Sequence, residues 1–153
     1  MIYIKRGFKM KVTNNIKEIV KKQIVNFTCN GKCSDCGECC SDLLPINDDE
    51  IRKIKQYIKK HNIKECNHIP AVVKNPLDLT CPFRDNKNKK CLIYEVRPEI
   101  CRSFICSKTM PEIEETKRLI NSTRQVVSMR NIFFNGEPLE DILYKIQIQM
   151  QGR

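Results

Sequence analysis

Residues 29–40 read C-NGK-C-SD-C-GE-CC, which places Cys29, Cys33, Cys36, Cys39 and Cys40 within twelve positions, half of the ten cysteines in the chain. A buried cysteine ordinarily behaves as a small hydrophobe and packs on an apolar face. Here the thiols are interleaved with Asn30, Gly31, Lys32, Ser34, Asp35, Gly37 and Glu38. Those polar turn formers wrap side chains around a point instead of burying them along a stripe. The stretch reads as a ligand loop, for metal or for disulfides.

Composition chooses between the two. A chain of 153 residues is long enough for one domain with its own core. The opening MIYIKRGFKMK is basic but lacks the apolar run of a signal peptide. No stretch approaches the ~20 apolar residues of a membrane span. The expectation is a cytoplasmic protein with no membrane segment, and in that reducing compartment clustered cysteines hold metal or do chemistry more often than they form disulfides. The net charge of +10 suggests a surface for nucleic acid or an acidic protein partner. Its lysines are nevertheless spread over many segments, among them Lys21–Lys22, Lys59–Lys60 and Lys87 to Lys90, a distribution that favours an ordinary solvated face.

Outward from the ligand loop the chain reads mainly α. Residues 1–12 form a loosely attached arm. A helix from Thr13 or Asn14 carries Ile16, Ile19, Val20, Ile24 and Phe27 at helical spacing into the cysteines. The next helix has a strong start signal: Asn47 as cap, Glu50 three residues on, Asp48 and Asp49 at the positive end, and Ile46 with Ile51 as a hydrophobic staple. Ile51, Ile54 and Ile58 form its apolar stripe, which ends near His61–Asn62. Pro70, Pro76 and Pro82 keep residues 63–96 irregular. Thr80 to Phe83 and Cys91 to Tyr94 read as two short strands of a hairpin, with Cys81 and Cys91 on opposite arms. Pro98 suits the start of a helix through Cys101 to about Cys106. The signals at Thr109, Pro111 and Glu112 open a long helix to about residue 131, and Pro138 starts a last helix with Leu139, Ile142, Leu143, Ile146 and Met150. The expected fold is a small helical domain with a short β-hairpin and irregular loops organised around Cys-ligated metal. Its parts are the arm at 1–12, a cysteine-cluster domain at 13–108, and a helical extension at 109–153 packed on that domain.

Eight cysteines form the candidate ligand set: Cys33, Cys36, Cys39, Cys40, Cys81, Cys91, Cys101 and Cys106. Eight is two sets of four, and a structural zinc takes four thiolates tetrahedrally. Adjacent Cys39 and Cys40 point apart, which argues for two ions, or for a cluster that leaves one neighbour outside it. Iron–sulfur is the rival, because Cys33, Cys36 and Cys39 satisfy the first three positions of a ferredoxin run, with Cys81-Pro82 as a distant C-P. Zinc, iron and a [4Fe–4S] cluster all accept sulfur, so ligand type alone leaves them open. Cys29, Cys33 and Cys36 also have the spacing of radical S-adenosylmethionine enzymes, but Asp35 stands where those carry an aromatic residue, and the chain has no βα alternation for a barrel.

The run C-SD-C-GE-CC, then CPF, then CLIYEVRPEICRSF, resembles the YkgJ-type cysteine-cluster family, a CxxCxxCC domain described as zinc- or iron-chelating. The matching positions are Cys33, Cys36, Cys39, Cys40, Cys81, Pro82, Cys91, Ile93, Tyr94, Arg97, Pro98, Cys101, Arg102 and Phe104. A similar cluster occurs in bacterial enzymes that N-methylate flagellin lysines. The resemblance implies metal chelation and does not extend to Cys29 or Cys66.

Around this set, His61 and His68 read as ordinary histidines, with Cys66-x-His68 as one accessory pair to check. Arg97 and Arg102 flank Cys101 and suit either hydrogen bonds to thiolate sulfur or ion pairs to Glu95 or Glu99. Tyr94 and Phe104 read as core. No P-loop, nucleotide fingerprint, serine triad or carboxylate pair is present in the sequence, and the reading leans away from an enzyme. The expected function is a metal-binding module with a binding or regulatory role. The alternatives are metal delivery or redox sensing, and an iron–sulfur-dependent modifying enzyme related to the flagellin lysine methylases.

Overall fold

The computed structural model describes residues 40–74, 76–103, 114–115, 118 and 124–152. The expected arm, the first helix and the ligand loop up to Cys39 lie outside the described residues, as do Phe104, Cys106 and the start signal at Thr109.

Strand β1 spans Leu43–Ile46 and pairs antiparallel with β4, Gln125–Ser128, in the register Leu43↔Ser128 to Ile46↔Gln125. All four β1 residues are buried. Pro45 is tolerated there because both strands of a two-stranded ribbon are edges, where a missing N–H costs little. Helix α1, Asp48–His61, follows directly. Its capping box forms as the sequence requires: Asn47 Oδ1 accepts from Glu50 N at 2.9 Å and Glu50 Oε2 accepts from Asn47 N at 2.8 Å. Ile46 and Ile51 join one core cluster across this cap, and Ile54 is fully buried. The helix stops at Asn62, whose left-handed φ of 50° ends the ladder.

Glu50 does more than cap. Its Oε1 accepts from Glu99 N at 2.8 Å, which fixes the start of α2, Glu99–Ser103, against the start of α1. Arg124, just before β4, reaches both Glu50 and Glu99. Glu50→Ala therefore removes a cap partner and an interhelix tie together, at a cost of about 1–3 kcal/mol, while Glu50→Gln keeps an acceptor and loses less. Urea midpoints of the two variants against the parent check this.

The expected hairpin is present but shifted. Strand β2 is Arg84–Asp85 and β3 is Lys90–Cys91, so Thr80 to Phe83 forms no strand of this hairpin. Pro82 has no N–H to give a ladder, and Arg84 N turns back to Cys81 O at 3.0 Å. Leu92 and Ile93 follow β3 into a short 3-10 turn at Tyr94–Val96.

The larger difference concerns residues 125–128. The sequence predicts a long helix to about residue 131, but residues 125–128 form β4 instead. Helix α3 then occupies Met129–Phe134, with Ser128 Oγ accepting from Asn131 N at 3.1 Å as its cap. Val126 and Val127 are β-branched and lose rotamer freedom in a helix, and Leu43–Ile46 offers them a partner strand. The turn at Asn135–Gly136 forms, and helix α4 spans Leu139–Gln151 after Pro138. Ile142 and Ile146 are buried and Leu139 and Leu143 pack against the core, whereas Met150 faces solvent.

Phe83 is fully buried, with ring centroids 5.5 Å from Phe133 and 5.3 Å from Phe134. The hairpin is thereby fastened to α3. The described residues thus comprise four α-helices and two small antiparallel sheets around one apolar cluster.

Candidate metal centre

Two backbone contacts build the floor of the centre. Cys81 N donates to Cys40 O at 3.0 Å, and Asp42 N donates to Leu79 O at 2.8 Å. With the bridge between Ser41 and Thr80, residues 40–42 lie antiparallel to 79–81. The last cysteine of the ligand loop is thus fixed beside the C-P cysteine of the hairpin. Cys91 stands opposite Arg84 in β3, and Cys101 occupies the short helix α2, whose Cys101 N returns to Pro98 O at 3.0 Å.

Cys81 is the innermost of these thiols. Burial pushes its pKa well above the ordinary thiol value, and the neighbouring sulfurs of Cys101 and Cys91 push the same way. The Phe83 amide donates a hydrogen bond to the Cys81 sulfur and pulls in the opposite direction. That donor is what a sulfur carrying negative charge needs. With no cation present Cys81 is a buried neutral thiol, and a metal ion that binds it displaces the proton. Cys40 is partly buried, as are Cys91 and Cys101.

The donor chemistry therefore fits a thiophilic ion, with Cys40, Cys81, Cys91 and Cys101 brought into one neighbourhood from three separate segments. Among the described residues no three Cys, His, Asp or Glu side chains are already spaced to hold an ion. Cys33, Cys36, Cys39 and Cys106, the other half of the expected set, lie outside the described residues.

The neighbouring residues resolve several alternatives. His68 is no ligand. Its Nδ1 lies 3.0 Å from the Asp78 carboxylate and its Nε2 2.7 Å from the Arg84 carbonyl, so both ring nitrogens are engaged. The Cys66-x-His68 pair consequently does not act as an accessory site. Cys66 donates its backbone N–H to Pro82 O at 2.8 Å, and burial raises its thiol pKa. His61 stacks on Tyr57 at the exposed end of α1. Arg97 takes neither expected role: its guanidinium lies 3.6 Å over the Tyr94 ring and its Nε donates to Tyr94 O. Tyr94 is exposed, not core, because that stack holds it on the surface. Arg102 is exposed, and Glu99 is taken by Arg124.

One group of residues had no signal in the sequence. Arg130, at the start of α3, donates to Asp78 and Thr80 O at 3.0 Å each, to Cys66 O at 3.2 Å, to Asn67 Oδ1 at 3.3 Å, and also to Glu65. Beside it, Asp42 is fully buried, with Oδ2 2.6 Å from Ser128 Oγ and Oδ1 2.7 Å from Arg130 N. Burial pushes the Asp42 carboxyl up, and those two donors oppose it. Together the two residues hold the segments that carry Cys40, Cys66 and Cys81 in fixed relation.

A family model, CxxCxxCC, described as "Putative zinc- or iron-chelating domain", matches residues 32–126. An uncharacterized protein of Methanocaldococcus jannaschii is 36% identical over 77 residues, covering 46% of this chain and 41% of that protein. The chain thus spans well under half the length of that relative. No solved structure matches the chain.

Proposed function

Because the chain belongs to the CxxCxxCC zinc- or iron-chelating domain family, we propose that it holds zinc or iron through Cys33, Cys36, Cys39, Cys40, Cys81, Cys91, Cys101 and Cys106. The ion organises the fold, and the protein acts as a binding or regulatory module. The observation that carries this reading is the backbone pairing of Cys40 with Cys81, with Cys91 and Cys101 close enough to Cys81 to perturb its thiol. The bound ion would stabilise four thiolates per site and draw the ligand loop, hairpin and α2 together. Arg97, stacked away on Tyr94, leaves sulfur hydrogen bonding to backbone amides such as that of Phe83.

The burial of Cys81 favours a structural role over delivery. A delivered ion must leave through exposed, exchangeable ligands, whereas this sulfur sits against fully buried Phe83. Protein purified without oxygen is expected to contain one to two ions per chain by metal analysis. A colourless sample with zinc supports tetrahedral thiolate sites, and a brown one absorbing near ~400 nm supports [4Fe–4S]. A sample with neither metal above trace levels would sink the proposal. If the basic surface engages nucleic acid or an acidic protein, binding weakens steeply with salt, and a flat salt dependence excludes that partner class.

A further inference from the structure

Away from the cysteines, the charge of helix α1 is laid out unevenly. Asp48 and Asp49 occupy its first turn, and from Arg52 to Lys60 the helix carries five cations and no carboxylate. All five are exposed. Arg52 pairs with Asp49, whereas Lys53, Lys59 and Lys60 have no carboxylate partner among the described residues. Helical spacing places these four on the side turned away from buried Ile54. An ordinary solvated helix face mixes both signs, and a single sign held over two turns raises the local potential for anions.

Aromatic rings stand along the edge of that face. Tyr57 follows Lys53 and precedes His61 by one helical turn each, and its ring centroid lies 4.1 Å from that of His61. The 3-10 turn at Tyr94–Val96 packs against α1, and Tyr57 Oη donates to the Glu95 carboxylate at 3.4 Å. That turn carries Tyr94, which is 55% exposed, with the Arg97 guanidinium 3.6 Å over its ring. Arg97 Nε donates to Tyr94 O at 3.0 Å, so the stack is fixed by a hydrogen bond instead of left to rotate. A guanidinium held on an exposed ring is a flat, cationic surface of the kind on which nucleobases stack.

The combination selects the partner. An acidic peptide would use the lysines and ignore the rings. A duplex keeps its base faces stacked inside, where no protein ring reaches them. A single nucleic-acid strand presents phosphates and free base faces together.

We propose that this surface binds single-stranded nucleic acid, with Lys53, Lys59 and Lys60 on the phosphates and a base stacked against the Tyr94–Arg97 pair. The proposal rests on the binding-module reading for the existence of a partner and deepens it by naming the partner and the surface. It does not depend on which metal is bound.

The test uses the full chain as purified, with metal content and thermal transition recorded on the same sample, so that failure of the metal assignment is read separately. Fluorescence anisotropy with a labelled oligouridylate of about twelve nucleotides is expected to show saturable binding at low salt. The logarithm of affinity should fall with the logarithm of salt at a slope of about −2, as three lysine–phosphate contacts to a single strand require. Replacing Lys53 and Lys60 together with Gln should flatten that slope by more than half. Tyr94→Ala should weaken binding about tenfold at an unchanged slope, and Tyr94→Phe, which keeps the ring, should restore it. Polyglutamate of equal length should be indifferent to Tyr94→Ala. No saturable binding, a salt slope untouched by the lysine replacements, equal losses on oligouridylate and polyglutamate, or tighter binding of a duplex would each overturn the proposal.

Discussion

A chelator strong enough to strip the metal is expected to unfold the whole protein, not merely silence one site. A structural zinc contributes on the order of 10 kcal/mol to folding, and a domain of this size has a net stability of only about 5–15 kcal/mol. Among the described residues Cys81 is itself one of the buried core side chains. Cys40 and Cys81 join β1 to the hairpin through their backbones, so on the proposed ligation loss of the ion would loosen both together. The expected result is loss of most helical ellipticity and of the cooperative thermal transition, both restored by the metal. Substituting Ser for Cys81 should give the same outcome without chelator, because a hydroxyl is a poor replacement for a buried thiolate ligand. An unchanged ellipticity and melting temperature after verified removal would mean that the ion does not hold the fold.

The second large effect belongs to Arg130→Leu. That side chain ties Glu65, Cys66 and Asn67 to Asp78 and Thr80, and leucine would leave the largely buried Asp78 carboxylate with less compensation. Breaking such a pair by removing one partner costs about 3–5 kcal/mol, or about 10 °C or more in melting temperature. Arg130→Lys should rescue only part of it, since one ammonium has three donors and cannot span five acceptors on both sides. Differential scanning calorimetry of both variants measures the effect, and a leucine variant within 1 °C of the parent would show the network to be dispensable. Gly136 belongs to the same argument. A Cβ there would approach Arg130 Cγ to 2.9 Å, so any larger residue must displace the arginine stem.

What the sequence revealed was local. The Asn47–Glu50 capping box is a reciprocal bond between residues three apart, and Pro138 and Asn135 mark boundaries through their own backbone preferences. Strand β4 was hidden for the opposite reason. Val127 fits a helical stripe with Ile113 and Ile120, and its strand conformation depends on Leu44, more than eighty residues earlier. The hairpin was legible as a hairpin but not in its register, because Pro82 and the turn at Cys81 shift pairing to Arg84. Arg130 and Asp42 gave no signal, since a lone arginine or aspartate in a sequence does not announce its acceptors or donors. At the candidate centre the sequence supplied the residue type, and the fold supplied the neighbourhood of Cys40, Cys81, Cys91 and Cys101.

The double tether at Asp42, whose N–H goes to Leu79 O and whose carbonyl accepts from Met129 N, also orders events in time. Two long loops must close before the floor of the centre exists, and each closure is an entropic delay that local helices do not face. On the ribosome, Cys33 to Cys40 emerge well before Cys81 and long before Met129. The first thiols therefore pass through synthesis without their neighbours, open to any soft cation or oxidant within reach. On the proposed ligand set, metal loading would turn on what those early thiols meet before the rest of the chain arrives.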